Sequence, residues 1–528
     1  MANYLKQYSG KGTVPQSEPL REDQVKNDAG GFVWAVGDWE ILDRFLVLGT
    51  EGGTYYAGQS KLTRGAALTI EKLINQDGLR VVSRAVEMSV SGRIPKNDTA
   101  LFVMAMAAEL GDQKTRTAVY DELPKVARIG THLFQYLDFS EDHGWGYGKR
   151  RAVSSWYNGK TSEKLAYQLI KYRNRFGWTH MDALRKSHAT PVTPEHQELF
   201  KWVTKGLSEE ELSNAQSLVY AFEQMQKADS VGRVVDLIDK YKLPHETVPT
   251  DYKNHRTVQW ALLQHMPIGA MIRNLGNMSK STLLVEFSKA TGLVIDRLED
   301  EDALRKSRVH PIQVLAALIT YQQGHGQRGS GEWTPVGSIV DALDAAFYAS
   351  FGNVEPTGKR LVMGLDNSGS MGCGEVSGVA GLSPAMAAGA MAMVNAQVEK
   401  DVAFVAFTTR AEDIVITPKM RLAEVAEKLS QARRGTDCAV PILWAQKKGI
   451  EADAFILLTD NQSWSGPKHA AAALSQYRKK TGLQSKLVVC SMVYNRYTVG
   501  DPEDVSDSLN VVGFDTATPQ LISQFVAS

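Results

Sequence analysis

The sequence predicts an α-solenoid followed by a doubly wound α/β domain, and three observations carry that expectation. From about residue 38 to 350, apolar residues recur at helical spacing in short segments, with almost no strand-like alternation. Beyond Pro356-Thr-Gly358, short unbroken apolar runs alternate with helical stretches, the pattern of buried parallel strands and crossover helices. The length of 528 residues suits either about three domains or one small domain beside a long repeat array.

Taken in order, the helical half shows an N-terminal cap at Asp98-Thr99, ahead of Leu101, Phe102, Met104, Ala105 and Ala108. Ser208-Glu-Glu-Glu opens another helix, and His310-Pro311 precedes Ile312-Gln-Val-Leu-Ala-Ala-Leu-Ile. Breaks are expected at Gly92-Arg-Ile-Pro95, Leu243-Pro-His and Gly276-Asn. Many short helices without intervening strands imply stacked helical hairpins of HEAT-like type. Composition turns glycine-rich around Gly324-His-Gly-Gln-Arg-Gly-Ser-Gly331. Strands are then expected at 360–365, 402–407, 454–458 and 487–492, with helices at about 384–399, 421–433, 467–481 and 518–527. Ligands of such sheets bind beyond the carboxyl ends of the strands.

Composition excludes several classes. With 43% hydrophobic and 22% charged residues the chain is neither disordered nor collagen-like. Three widely spaced cysteines (Cys373, Cys438, Cys490) give no disulfide framework and no Cys-based zinc site, which fits a reducing cytosol. The polar N-terminus lacks the apolar core of a secretory signal. The uncharged stretch Val376 to Val398 contains Ser377, Ser383, Pro384, Asn395 and Gln397 and is too weakly apolar to insert in a membrane. A cytoplasmic protein without membrane contact is expected. Lys and Arg number 59 against 59 Asp and Glu; taken whole, that neutrality argues against nucleic acid.

Chemistry concentrates first at the ends of the predicted strands. Asp366-Asn-Ser368-Gly-Ser370 places a carboxylate and two hydroxyls around one tight loop. Thr436, in Gly435-Thr-Asp437, and Asp460, after the strand ending at Leu458, occupy comparable loops. Hard oxygen donors of this kind suit Mg²⁺, with Mn²⁺ as the alternative. Asp-x-Ser-x-Ser alone is also an ordinary capped turn; three pieces in successive loops favour the metal. This arrangement resembles a von Willebrand factor A-type domain with its metal-ion-dependent adhesion site, matched by Asp366, Ser368, Ser370, Thr436 and Asp460. The resemblance implies that an acidic group from a protein ligand completes the metal's shell. The neighbouring Asp437 reads as a loop or helix-cap residue.

The second concentration is one of charge. Between Gly144 and Thr190 ten Lys and Arg face only Glu163 and Asp182, a local excess of eight. Aromatic residues are interleaved: Trp145, Tyr147, Trp156, Tyr157, Tyr167, Tyr172, Phe176 and Trp178. Such a surface binds phosphates through counterion release, and exposed rings stack on unpaired bases. Trp156 and Tyr157 read as core. Lys171 and Arg175, at i and i+4, are expected to share one helical face. Residues 361–528 hold 15 basic and 17 acidic residues, so the helical half carries only the remaining excess of two. Neutrality therefore means that positive charge is confined to one region.

The same segment carries motifs: Trp156-Tyr-Asn, Lys171-Tyr-Arg-Asn-Arg175-Phe-Gly-Trp178-Thr-His-Met-Asp and Leu184-Arg-Lys-Ser-His188. With Met266-Pro-Ile-Gly-Ala-Met-Ile-Arg-Asn-Leu-Gly276, Gly324-His-Gly-Gln-Arg-Gly329, and the junction from Leu343-Asp-Ala-Ala-Phe-Tyr348 to Pro356-Thr-Gly-Lys-Arg360, they resemble a bacterial member of the Ro sixty-kilodalton autoantigen family, the TROVE-domain proteins. The resemblance implies a ring of HEAT-like repeats (1–357) closed by the A-type domain (358–528). It also implies Y RNA on the basic outer surface and single-stranded 3′ ends of misfolded or structured noncoding RNA in the central hole. Lys171, Arg175 and His188 match family positions tied to Y RNA contact; Arg150 and Arg151 are added as phosphate contacts from charge alone. Association with a 3′-exoribonuclease such as polynucleotide phosphorylase, tethered by the Y RNA, is implied as well. The expectation is a monomeric, non-catalytic scaffold for RNA quality control. The rival is a metal-dependent protein-interaction module with incidental RNA binding; a Mg²⁺ nuclease is disfavoured by the few carboxylates at the candidate site.

Overall fold

The computed structural model describes residues 13–528 except 51–53, 55, 56, 216, 308, 327–330, 352–355, 377–380, 430–434 and 505. The end of the Gly324–Gly329 motif and of the helix expected over 421–433 therefore lie outside the described residues.

The first described residues form a strap on the α/β half. Strands β1 (Val25–Lys26) and β2 (Phe32–Ala35) make an antiparallel hairpin, and β2 pairs in turn with Tyr497–Thr498. Apolar burial holds it there: Leu20 and Trp34 pack against Ala471. Gly31 lies so close to the neighbouring chain that a Cβ would stand 2.1 Å from the Ser463 carbonyl oxygen. Only glycine fits there.

Helix starts follow capping chemistry. The Ser208 hydroxyl accepts from Glu211 N, and the Glu211 carboxylate accepts from Ser208 N at 3.0 Å, a complete capping box. His310 accepts from Ile312 N at 3.1 Å and opens Pro311–Gln323. The expected breaks at Gly92–Pro95 and Leu243–His245 are present. The one at Gly276 is not: it lies inside the helix Ile268–Lys280 because the Trp333 ring packs against it, 2.7 Å from where a Cβ would stand. Glycine there serves close packing, not a turn. Contacts between helices near one another in the chain, often skipping one, link the series from Asp38–Leu48 to Gly337–Ala349. The path then closes: His310 Nε2 lies 3.2 Å from Arg93 O, and Gln313 Nε2 donates to Pro95 O at 2.9 Å. Arg93 in turn donates through Nε to the Asp515 carboxylate at 3.0 Å, so the α/β half pins the junction. A short hairpin of β3 (Asn174–Arg175) and β4 (Trp178–Thr179) interrupts the helical half.

In the carboxyl-terminal half six strands, β5 (Leu361–Asp366), β6 (Val402–Phe407), β7 (Ala411–Asp413), β8 (Ala454–Thr459), β9 (Lys486–Ser491) and β11 (Ser508–Val512), form a sheet. The order is β11-β9-β8-β5-β6-β7, parallel except for β7 at the edge; β10 is the Tyr497–Thr498 strand under the strap. Four strands lie within a residue of the predicted positions. The edge strands β7 and β11 and the helix Val440–Lys448 were not legible as separate apolar runs. Side chains alternate between two cores, as the period of a strand requires. Val362, Phe455, Leu457 and Val489 join helices Val440–Lys448 and Ala470–Thr481. Met363, Leu365, Ile456, Leu458 and Val488 join helix Pro384–Val398 and a core continuous with the helical half. Gly364 lets Pro441 approach β5, where a Cβ would stand 2.6 Å from it. Within Val376–Val398 lies the helix Pro384–Val398, buried between elements and not lipid-facing in character. Among the described residues no helix is long and apolar enough to cross a membrane.

Candidate metal loops and basic surface

The three candidate metal loops meet at one end of the sheet. In the strand order the connections from β5 run one way to β6 and the other way to β8, so the carboxyl end of β5 is the topological switch point. Asp366 ends β5 and Asp460 follows β8 directly; Thr436 sits on the loop ahead of helix Val440–Lys448. All five predicted metal residues are buried. Ser368 N donates to Asp366 Oδ1 at 3.0 Å, the Ser368 and Ser370 hydroxyls lie 3.1 Å apart, and Thr459 donates to Asp366 Oδ2 at 2.6 Å. Gln462 N donates to Asp460 Oδ1 at 3.0 Å. The Thr436 carbonyl accepts from Trp464 N at 3.1 Å and Ser465 N at 3.0 Å, which ties the second loop to the third.

Electrostatics fit a cation here. Burial and the nearby charge of Asp460 push the Asp366 carboxyl up to about 7. Burial raises Asp460 too, against the Ser370 hydroxyl beside it. Two buried carboxylates that raise each other's charging cost cannot both ionise cheaply; a divalent ion would supply the missing positive charge. Among the described residues no three His, Cys, Asp or Glu side chains cluster for a metal, so any ion here relies on hydroxyls as well as carboxylates. Asp437 accepts from Ala439 N at 2.9 Å and shapes the turn into helix Val440–Lys448, and burial pushes it up to about 7. Gly466 (φ 109°) leaves room for its carboxylate: a Cβ would stand 2.1 Å from Asp437 Oδ2.

The basic segment divides into buried and exposed cations. Lys149 is 3% exposed and donates to Ser140 O at 2.6 Å; burial lowers its ammonium to about 8. Lys160 donates to Trp156 O at 2.8 Å over the Trp156 ring and falls to about 7 for the same reason. Trp156 and Tyr157 are fully buried, with Tyr157 Oη 2.8 Å from His180 Nδ1. Arg151 is exposed but paired with Asp121 at 2.7 Å. Arg150, Arg173, Arg175 and Lys186 are exposed and make no ion pair among the described residues. Arg173 lies over the Phe222 ring and Lys186 over Trp178. Tyr147 is 82% exposed and Phe176 47%.

Lys171 and Arg175 do not share a helical face. The helix Ser162–Lys171 ends at Lys171, whose Nζ donates to Tyr167 Oη at 3.2 Å. Arg175 lies on β3, next to the two-residue turn Phe176-Gly177, where φ is 52° and 75°. Positive φ at both turn positions is the type I′ geometry that matches strand twist, and it ends helical spacing. His188 caps the helix His180–Ser187 in the left-handed conformation and is exposed.

Both halves match known domains: the TROVE domain over residues 25–320 and the Ro60 vWA domain over residues 360–526. The chain belongs to the Ro60 family of TROVE-domain proteins. It is 39% identical over 515 residues to RNA-binding protein RO60 of Deinococcus radiodurans, covering 97% of each chain. It is 33% identical over 591 residues to RNA-binding protein RO60 of Caenorhabditis elegans, covering 97% of this chain and 91% of the relative. The crystal structure of the Deinococcus radiodurans RO (RSR) protein superposes with a TM-score of 0.70 at 37% identity, over 93% of this chain and 99% of that one.

Within this Ro60-family fold, nothing in the sequence sets Arg173 and Lys186 apart from the other cations of the basic segment, and Asn27, Arg44 and Asn495 come near the candidate metal loops only through the tertiary fold. Lys171-Tyr-Arg-Asn-Arg-Phe-Gly-Trp contained one usable signal, the Phe-Gly turn flanked by strand-forming aromatics. Nothing in the local sequence marks Asn27 or Asn495, because their partners lie more than four hundred residues and thirty residues away respectively.

Proposed function

We propose that this chain is a non-catalytic, monomeric RNA-binding ring protein of noncoding-RNA quality control. It holds Y RNA on the outer surface of residues 1–357 through Lys171, Arg175, His188, Arg150 and Arg151. It takes single-stranded 3′ ends of misfolded or structured RNA into the central hole. The observation that carries this reading is the set of exposed cations Arg150, Arg173, Arg175 and Lys186, without ion pairs among the described residues, in a segment that also exposes Tyr147 and Phe176. Relatives named as RNA-binding proteins over nearly the whole chain support it. A closed helical path favours selection by free end and shape, since a rigid aperture admits one strand and excludes duplex. Bound Y RNA then serves as the tether to a 3′-exoribonuclease such as polynucleotide phosphorylase in the cytoplasm. Gel-shift titrations of Y RNA and of a 3′-tailed RNA across a salt series test this. Affinity for both falls steeply with salt, and Lys171→Ala with Arg175→Ala weakens Y RNA selectively. Clean, mutation-sensitive cleavage of labelled RNA in Mg²⁺ would overturn the non-catalytic reading.

The metal loops support a second role for residues 358–528. Asp366, Ser368, Ser370, Thr436 and Asp460 would hold Mg²⁺ or Mn²⁺, which supplies an open coordination position for the carboxylate of an acidic protein ligand. The buried pair of carboxylates favours this; Asp366→Ala removes metal-dependent partner capture while RNA affinity stays.

A further inference from the structure

The stretch that begins at Asp460 is held by residues from outside its own domain. Asn461 sits in the left-handed region (φ 61°), and residues 462–466 follow it past the strap. From the strap, Asn27 Nδ2 donates to Ser463 O at 2.8 Å and to Asn461 O at 3.5 Å. Ala29 N donates to Gln462 Oε1 at 3.3 Å and Gln16 N to Gly466 O at 3.1 Å. Asn27 is itself fixed, its Oδ1 accepting from Ala29 N at 3.1 Å and Gly31 N at 3.0 Å. From the helical half, Arg44 is fully buried and paired with Glu40 at 2.6 Å. Its NH1 group donates to Asn495 Oδ1 at 2.5 Å, Asn495 O at 3.2 Å and Tyr497 O at 2.8 Å. Asn495 Nδ2 then donates to Asp460 O at 2.6 Å.

A guanidinium with no exposed surface is costly to bury unless its donors are satisfied. Here NH1 and NH2 are paired while Nε has no hydrogen-bond partner among the described residues, and NH1 reaches Asn495, which fixes the backbone of Asp460. The strap grips the same stretch three residues further on. Ligands must stand within about 0.5 Å of productive geometry, so groups that set this backbone set the site.

We propose that Asn27, Arg44 and Asn495 are positioning residues for the metal loop, which makes divalent-metal binding and docking of residues 13–48 on the α/β half one linked equilibrium. The proposal rests on the metal reading above. Linkage is reciprocal: whatever the docked strap adds to metal affinity, metal adds to strap docking.

The test uses full-length, metal-stripped protein titrated with Mn²⁺ and read by electron paramagnetic resonance, with hydrogen exchange of residues 13–36 followed in parallel. Asn27→Ala and Asn495→Ala bind Mn²⁺ about 10-fold or more weakly, the usual cost of losing an outer-shell partner of a metal site. Gly31→Ala, which deletes no hydrogen bond but drives a Cβ onto Ser463 O, weakens Mn²⁺ as well; Gly37→Ala, where a Cβ meets nothing within 4 Å, does not. Mn²⁺ slows strap exchange in the wild type and does so less in Asn27→Ala. Arg44→Ala removes a buried cation and risks unfolding, so Asn495→Ala reports on that arm. Circular dichroism confirms that each scored variant is folded. Wild-type binding of Mn²⁺ with equal affinity in Asn27→Ala, Asn495→Ala and Gly31→Ala, or strap exchange indifferent to Mn²⁺, overturns the linkage and leaves the metal site standing. Absence of Mn²⁺ binding by the wild type overturns both.

Discussion

Single residues decide which charges are available and which are not. Sequence counts ten cations between 144 and 190, but Lys149 and Lys160 are turned inward and spend their donors on carbonyls. Lys160→Met is therefore expected to leave RNA affinity within about twofold, measured by the same titrations. Lys171→Ala with Arg175→Ala should flatten the salt dependence of Y RNA binding by about one to two in logarithmic slope. At the candidate metal loops, burial and the charge of Asp460 push the Asp366 carboxyl up to about 7 in the fold, above its ordinary 3.8 when unfolded. Its neutral form is the one the fold favours, so the contribution to stability is full below pH about 4. It is lost as pH rises through about 7, when the buried charge forms. Metal-free protein is expected to lose melting temperature across pH 4–7 from this source. If Mg²⁺ binds the ionised carboxylates as proposed, it should restore it at neutral pH. Thermal melts at several pH values with and without Mg²⁺ measure both. The five candidate metal residues stood out because each sits on a short loop after an apolar run or beside a turn glycine. The fate of Lys149 was not, since burial of a lysine depends on a carbonyl elsewhere in the fold.

Elements carry these residues to their positions, and here local pattern and tertiary context part company. The parallel strands could be read almost to the residue, because a fully buried strand is an unbroken apolar run. The hairpin Asn174–Thr179 left only the Phe176-Gly177 turn as a signal, since two-residue strands are too short to show alternation and their neighbours on both sides are helix formers. It is this hairpin, not a helical face, that displays Arg175. Gly177 has φ 75°, a conformation that L side chains resist. Gly177→Ala should therefore destabilise the hairpin by about 1 kcal/mol and weaken Y RNA binding without removing any charge. Affinity equal to wild type would show that Arg175 needs no fixed platform. Gly276 errs in the other direction: read as a break, it lies inside a helix because Trp333 needs the space.

Over the whole molecule the two halves share one apolar core, so a single unfolding transition is expected. A single apolar core runs from helix Asp38–Leu48 through the sheet to helix Thr518–Ala527, with Phe45 set edge-on to Tyr494. Closure is fixed where Arg93 meets both Asp515 and the helix opened by His310. Arg93→Ala strands Asp515, which is nearly fully buried, and should cost on the order of 3 kcal/mol, visible as a lower melting temperature with a single transition. The strap of residues 13–36 was illegible beforehand: it is polar, its strands are short, and its partners lie at 461–471 and 497–503, at the other end of the sequence. Net neutrality reads differently at this scale, since the segment 144–190 of the helical half holds ten Lys and Arg against two acidic residues. The most direct test is competition binding at fixed salt, comparing Y RNA with a single-stranded 3′-tailed RNA on wild type and on Lys171→Ala/Arg175→Ala/His188→Ala. Y RNA affinity should fall by about tenfold or more while 3′-tail affinity stays within about twofold. Equal losses for both RNAs, or none for either, would contradict a separate Y RNA surface on this ring.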